Sequence, residues 1–311
     1  MKIGVIGAGA VGGYFGALLA QAGEDVTFLV REDRYRALQH GLTVKSVHGD
    51  LFLAEPKLAQ SGEELSGCEV ILLAVKQYHL EGVWNDLGML AEGGAVLLPL
   101  LNGVRHMERL ERDFGTTRVL GGSCHIETTL DETGAVVQTS DIRDIVYGVL
   151  GDEDSVDPQL GGVLDRLQEA FLRARIPAVR RVRIMRELWK KYVFLCAFSG
   201  MTAATRSTIG VVWREHSARV ALAQMFGELI AVARAKGIDL QETFHTAMME
   251  RVAGLNPLMT SSMHRDLEKG RPLELDSLQG DLIAMAEECG IEAPVHRTVY
   301  AVLAPHRHGR R

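Results

Sequence analysis

The chain is poor in cysteine, carries no excess of basic charge and has no long hydrophobic run, and each shortage removes a class of function. Its 311 residues include four cysteines, Cys68, Cys124, Cys196 and Cys289. They lie far apart and form no C-x-x-C, so neither a disulfide framework nor a zinc site is indicated. Scattered, reduced thiols fit a cytoplasmic protein. The formal net charge of −6 leaves no basic footprint for nucleic acid. The longest apolar runs, residues 70–75 and 95–101, fall far short of the roughly twenty residues that cross a bilayer, so no membrane partner is expected. A Walker phosphate loop, a G-x-S-x-G elbow, a metal-ligand constellation and internal repeats are also missing. His306 and His308 are only two ligands, too few for a metal site, and residues 305–311 read as a frayed basic tail.

Glycine is placed with purpose. Gly7, Gly9 and Gly12 make a G-x-G-x-x-G spacing that follows a short β-branched run and opens an amphipathic segment. In that context the first glycine permits a tight turn, the second lets backbone approach a pyrophosphate, and the third lets helix pack on strand. Helix N–H groups, starting among Ala8, Ala10 and Val11, then face the phosphates. The next strand-like run, residues 26–30, ends at Arg31, where an NAD enzyme usually carries Asp or Glu. A guanidinium matches a 2′-phosphate in charge and geometry, so the expected cofactor is NADP. Glu32 and Asp33 follow at once, and a shift of one residue at the strand end would favour NAD instead.

With 47% hydrophobic residues the chain has material for about two domains. Up to residue 182, short Val/Ile/Leu runs alternate with helical patterns, which indicates a parallel sheet covered by helices. Residues 42–47 and 51–53 read as a hairpin at that sheet's edge, and residues 135–139 and 144–149 as a further β pair split by polar residues 140–143. From residue 183 helical patterns dominate. The expected fold is therefore α/β: a Rossmann-type doubly wound domain, residues 1–182, followed by an all-helical domain, residues 183–311. The apolar stripe of residues 217–236 suits a homodimer face or a core helix equally.

Ligands of such sheets bind beyond the carboxyl ends of the strands. Lys76 follows the run 70–75 and is either a cofactor ligand or a solvated lysine. Asn102-Gly103 follows the run 95–98 and is either a plain turn or a contact to nicotinamide and substrate. In the helical half, steps of three and four align Lys191 with Ile184, Leu188, Leu195, Ser199 and Thr202, an inward stripe, while Lys190 aligns with Arg186 and Phe194. A lysine in such a stripe either snorkels or serves as an acid toward a carbonyl. Glu274 opens an apolar helical pattern, where it meets the helix dipole or reaches across a cleft.

These segments occur in one order over nearly the whole chain: the glycine loop with Arg31, Lys76, Leu101-Asn102-Gly103, Glu187-Leu188-Trp189-Lys190-Lys191, and Thr260-Ser261-Ser262-Met263 followed by Glu274-Leu275-Asp276. Together they resemble the ketopantoate reductase (2-dehydropantoate 2-reductase) family. The resemblance implies NADPH-dependent reduction of a 2-oxo acid in pantothenate synthesis. It also implies Lys191 and Glu274 as catalytic residues, Asn102, Ser199 and Ser262 as further substrate contacts, and residues 7–12, Arg31, Lys76 and Asn102 at the cofactor. Four and eight residues after its lysine the family often has asparagine. This chain has Leu195 and Ser199, so the identity of the 2-oxo acid is open. A related reductase of another 2-oxo acid or imine, or a non-catalytic NADP-binding regulator, fits the same motifs.

Overall fold

The β-branched run after Met1 forms β1 (Lys2–Ile6), buried at every position after its first. Around it the computed structural model, which describes residues 1–151 and 156–310, builds a five-stranded sheet of order β5-β2-β1-β6-β7. The other strands are β2 (Asp25–Leu29), β5 (Lys57–Ala59), β6 (Val70–Leu73) and β7 (Val96–Pro99), and every pairing is parallel. β6 and β7 are buried throughout, as strands covered on both faces must be. Helices α1 (Ala10–Gln21), α2 (Glu32–Leu38) and α3 (Trp84–Glu92) lie on the connections between these strands, and α4 (Arg105–Phe114) follows β7. The strand order reverses between β1 and β6, the position where doubly wound sheets open for a ligand.

A second sheet departs from the sequence expectation. The hairpin β3 (Leu42–Ser46) and β4 (Leu51–Leu53) forms, yet it joins this second sheet, of order β10-β9-β3-β4, because β3 pairs with β9 through Val44 and Val136. The expected pair at 135–149 is one long strand, β9 (Val136–Val149), antiparallel to β8 (Leu120–Leu130). Its polar middle is a bulge: Ile126 faces Arg143 and Thr128 faces Gln138, while the Ser140 hydroxyl accepts the Glu127 N–H. Helix α5 (Pro158–Arg173) and short β10 (Ala178–Arg180) complete this half.

The chain divides into two compact units, one comprising Met1–Leu101 and His106–Ile184, the other Asn102–Arg105 and everything from Met185. The second unit is helical. It contains α6 (Ile184–Thr205, whose first residue belongs to the first unit), α7 (Ile209–Arg214), α8 (His216–Ala235), α9 (Phe244–Ala253), α10 (Ser262–Glu268), a π-helical turn (Asp276–Gly280), α11 (Asp281–Glu288) and α12 (Pro294–Leu303). α8 turns Leu222, Met225, Phe226 and Leu229 into the core. The tail is tied down through Arg310: the Leu273 N–H donates to the Arg307 carbonyl and the Arg310 N–H to the Gly270 carbonyl, both at 2.9 Å. Backbone pairing, invisible in composition, overrides the expected fraying; Arg311 lies outside the described residues. Among the described residues no helix is long and apolar enough to cross a membrane.

Within this unit Glu228 accepts from the N–H groups of Val295 and His296 at the start of α12 and from His296 Nδ1 at 2.6 Å. His296 is fully buried, and that burial holds its imidazole below the ordinary value despite the carboxylate. The unfolded chain therefore takes up a proton that the folded chain refuses, and stability falls as pH drops through the unfolded histidine range. The melting temperature should decline from about pH 7.5 to about pH 5.5, and His296→Gln should flatten that decline, as read by circular dichroism.

Candidate active site

The first unit carries a cradle at the carboxyl end of β1. Gly7 has φ +99°, and a Cβ there would stand 2.8 Å from the Ala74 carbonyl carbon just past β6. A Cβ on Gly12 would stand 2.2 Å from the Gly7 carbonyl oxygen. Both glycines are thus required by close backbone approach. Gly9 differs: among the described residues, no atom beyond its own chain neighbours lies within 4 Å of its missing Cβ, so its side of the loop is open. Gly9 also caps α1 without any side-chain hydrogen bond, and no acid occupies the first turn. An uncapped helix start beside open space is a fitting cradle for a pyrophosphate.

Sequence reasoning missed two residues here: Arg34 supports this loop, and His79 stands beside Arg31. Arg34 on α2 donates from Nε to the Ala8 carbonyl at 2.9 Å and from Nη1 to the Gly134 carbonyl at 2.8 Å, tying loop to sheet. No local pattern announces that contact, because Gly134 lies 100 residues away. His79 places Nδ1 3.3 Å from Arg31 Nη2, and burial, then the guanidinium, hold its pKa below the ordinary value. Arg31 itself is exposed at the start of α2. Glu32, the acid beside it, is occupied by Arg36 and by the Gln60 amide. Lys76 is half-buried directly after β6.

The second unit assembles a different set on α6. Ile184, Leu188, Ser199 and Thr202 are buried, whereas Lys191 and Leu195 on the same face are half-buried. The face is therefore closed at its ends and open around the lysine. Lys190 turns aside and bonds Glu187 at 2.8 Å. At the closed end the hydroxyls of Thr202 and Ser261 lie 2.9 Å apart, and the Ser261 oxygen caps α10 by accepting the His264 N–H. Ser261 is committed to structure, which leaves Ser262 half-buried in the first turn. On the flank of α6, the Tyr192 hydroxyl donates to the Leu278 carbonyl at 2.6 Å and Gln279 Nε2 to the Cys196 carbonyl at 2.7 Å. Those bonds fix the π turn immediately after Glu274. Glu274 is only 5% exposed, and Asn102 donates to its Oε2 at 3.4 Å. Gly103, at φ +91°, makes the turn that presents Asn102. Ser199 is enclosed, and its hydroxyl has no hydrogen-bond partner among the described residues.

Comparison with known proteins decides the family. Residues 3–152 match the family model described as Ketopantoate reductase PanE/ApbA, and residues 183–307 match its C-terminal counterpart. The chain belongs to the ketopantoate reductase family. It is accordingly an NAD(P)H-dependent oxidoreductase, with a parallel-sheet α/β unit followed by the family's helical C-terminal one. It is 34% identical over 304 residues to an uncharacterized oxidoreductase, YkpB, of Bacillus subtilis, an alignment covering 97% of this chain and 98% of that one. A 2-dehydropantoate 2-reductase of Nostoc is 26% identical, with 96% of this chain and 93% of the relative covered. Among solved structures, a 2-dehydropantoate 2-reductase from Geobacter metallireducens superposes with a TM-score of 0.86 at 27% identity, covering 98% of this chain and 99% of the other. No group of three or more His, Cys, Asp or Glu side chains able to hold a metal occurs among the described residues.

The two loop glycines separate binding from folding. Gly9→Ala should leave the melting temperature unchanged while raising the dinucleotide Kd at least about tenfold, since its Cβ meets only the space a phosphate would fill. Gly12→Ala should lower the melting temperature as well, because its Cβ collides with backbone. Fluorescence titration and calorimetry read the two effects separately.

Proposed function

We propose that this protein reduces a small 2-oxo acid to the 2-hydroxy acid with NADPH, and that 2-dehydropantoate, the substrate named for several relatives, belongs to that substrate class. The observation that carries the reading is the α6 face, where a half-buried lysine stands between buried Leu188 and buried Ser199 on the unit that also pairs Asn102 with buried Glu274.

Lys191, as the ammonium, donates a hydrogen bond to the substrate's carbonyl oxygen. It stabilises the negative charge that builds there and delivers the proton that completes the hydroxyl. The reduced nicotinamide, when bound, supplies the hydride for the carbonyl carbon. Glu274 holds the lysine or a substrate hydroxyl, and Asn102, already bonded to that carboxylate, orients the substrate. Ser262 helps hold the substrate carboxylate from the first turn of α10, while Ser199, expected from the sequence to contact substrate, is enclosed. The protein supplies placement and charge while the cofactor carries the difficult chemistry.

On the nucleotide side, Gly7, Ala8, Gly9, Ala10, Val11 and Gly12 hold the pyrophosphate, with Lys76 nearby in charge. Arg31 takes the 2′-phosphate, a reading supported by its exposure and by the engagement of Glu32 with Arg36 and Gln60.

The test is loss of NADPH absorbance across a panel of 2-oxo acids, repeated with NADH. Failure to oxidise either dinucleotide with any acid sinks the proposal and favours a cofactor-binding regulator. Lys191→Ala should lower kcat by roughly 10²–10⁴ with little change in NADPH affinity. Arg31→Ala should weaken NADPH far more than NADH in equilibrium titrations, and equal weakening would reassign the 2′-phosphate site.

A further inference from the structure

Beyond Lys191, in the carboxyl-terminal direction, the α6 face carries no side chain that can pair with a hydroxyl before Ser199. Phe194 and Leu195, three and four residues on, stand about 5–6 Å from the lysine between Cβ atoms, and both are half-buried. Phe198 lies behind them, 4% exposed, its ring stacked on Phe194 with centroids 5.4 Å apart and planes 14° from parallel. The Arg251 guanidinium sits 4.1 Å from the Phe194 centroid and pins that ring. The hydroxyl of Ser199 comes a full turn past Leu195 and is enclosed. The α6 surface in the turn after Lys191 is therefore apolar and partly open.

Resting on the proposal that Lys191 serves the carbonyl, the geometry points to the substrate class: 2-oxo acids whose side chain is branched and apolar, in preference to those that carry a hydroxyl. A hydroxyl laid against Phe194 and Leu195 gives up water and gains no partner from α6, whereas methyl groups gain contact. An apolar wall rejects an added hydroxyl only moderately, so both kinds of acid are reduced and the difference lies in kcat/KM.

Trimethylpyruvate is dehydropantoate with its hydroxyl removed, which makes the pair a direct probe. With NADPH, wild-type protein should favour trimethylpyruvate by roughly tenfold to a hundredfold in kcat/KM. Leu195→Asn, which installs an amide on the wall, should move that ratio at least about tenfold toward dehydropantoate, and Leu195→Met should keep the wild-type ratio. A ratio of two substrates is unaffected by a general loss of stability. A wild-type preference for dehydropantoate, or a ratio that Leu195→Asn leaves unmoved, overturns the inference while the reductase reading stands. Reduction of no 2-oxo acid overturns both.

Discussion

Three stretches of backbone meet at one point beyond β1, and the dinucleotide half of the molecule depends on that meeting. Gly7 lies against Ala74, and Gly12 lies over the Gly7 carbonyl. Any side chain at either glycine would push the strand end, the helix start and the β6 end apart. Because none is present, α1 leaves its strand directly, with an uncapped amino end beside the open side of Gly9. Arg34 holds the loop from the other direction through the Ala8 carbonyl. The loop is thus fixed by contacts that leave its outward N–H groups available, the condition for binding an anion without reorganisation.

The helical unit solves a different problem, that of keeping a cation in a largely apolar surrounding. Two adjacent lysines on α6 meet different fates because successive residues point about a quarter-turn apart. Lys190 finds Glu187 one turn back, an ordinary helix-surface pair of small energetic weight. Lys191 projects from a face whose neighbours run from buried Leu188 to buried Thr202. Tyr192 and Gln279 then lock the π turn to the flank of the same helix, so the segment that carries Glu274 is referenced to α6 itself. Single-turn π segments often mark functional places in helices, and this one follows the buried carboxylate by one residue.

Periodicity and short apolar runs made the parallel sheet, its crossovers and the change to helices legible in the sequence, since those patterns record local burial. Helical arithmetic separated Lys190 from Lys191 for the same reason. Pairings between distant strands left no local mark. The partner of β3 is decided by Val136, some ninety residues on, and the polar residues that interrupt β9 read as a break until β8 is seen to run along both sides of the bulge. The candidate site divides likewise. Motif spacing drew attention to Gly7, Gly9 and Gly12, strand ends to Arg31, Lys76 and Asn102, helical steps to Lys191, and an apolar helical pattern to Glu274, whereas Ser262 came only with the family resemblance. Arg34 and His79 escaped because their roles rest on a carbonyl and a guanidinium that sequence distance hides. Whether Ser261 or Ser262 was the capping serine was likewise a matter of geometry, settled by the His264 N–H.

The docked segment 307–310 has an architectural duty. Its Arg307 carbonyl receives the N–H of Leu273, the residue directly before Glu274, and the Glu274 carbonyl is in turn held by the Ser277 hydroxyl and the Leu278 N–H. The acidic side chain is consequently moored on both sides, upstream by the last stretch of the polypeptide and downstream by its own helix. Any change that peels Arg307 away would slacken the mooring of a group more than thirty positions earlier, with every motif in the chain left intact.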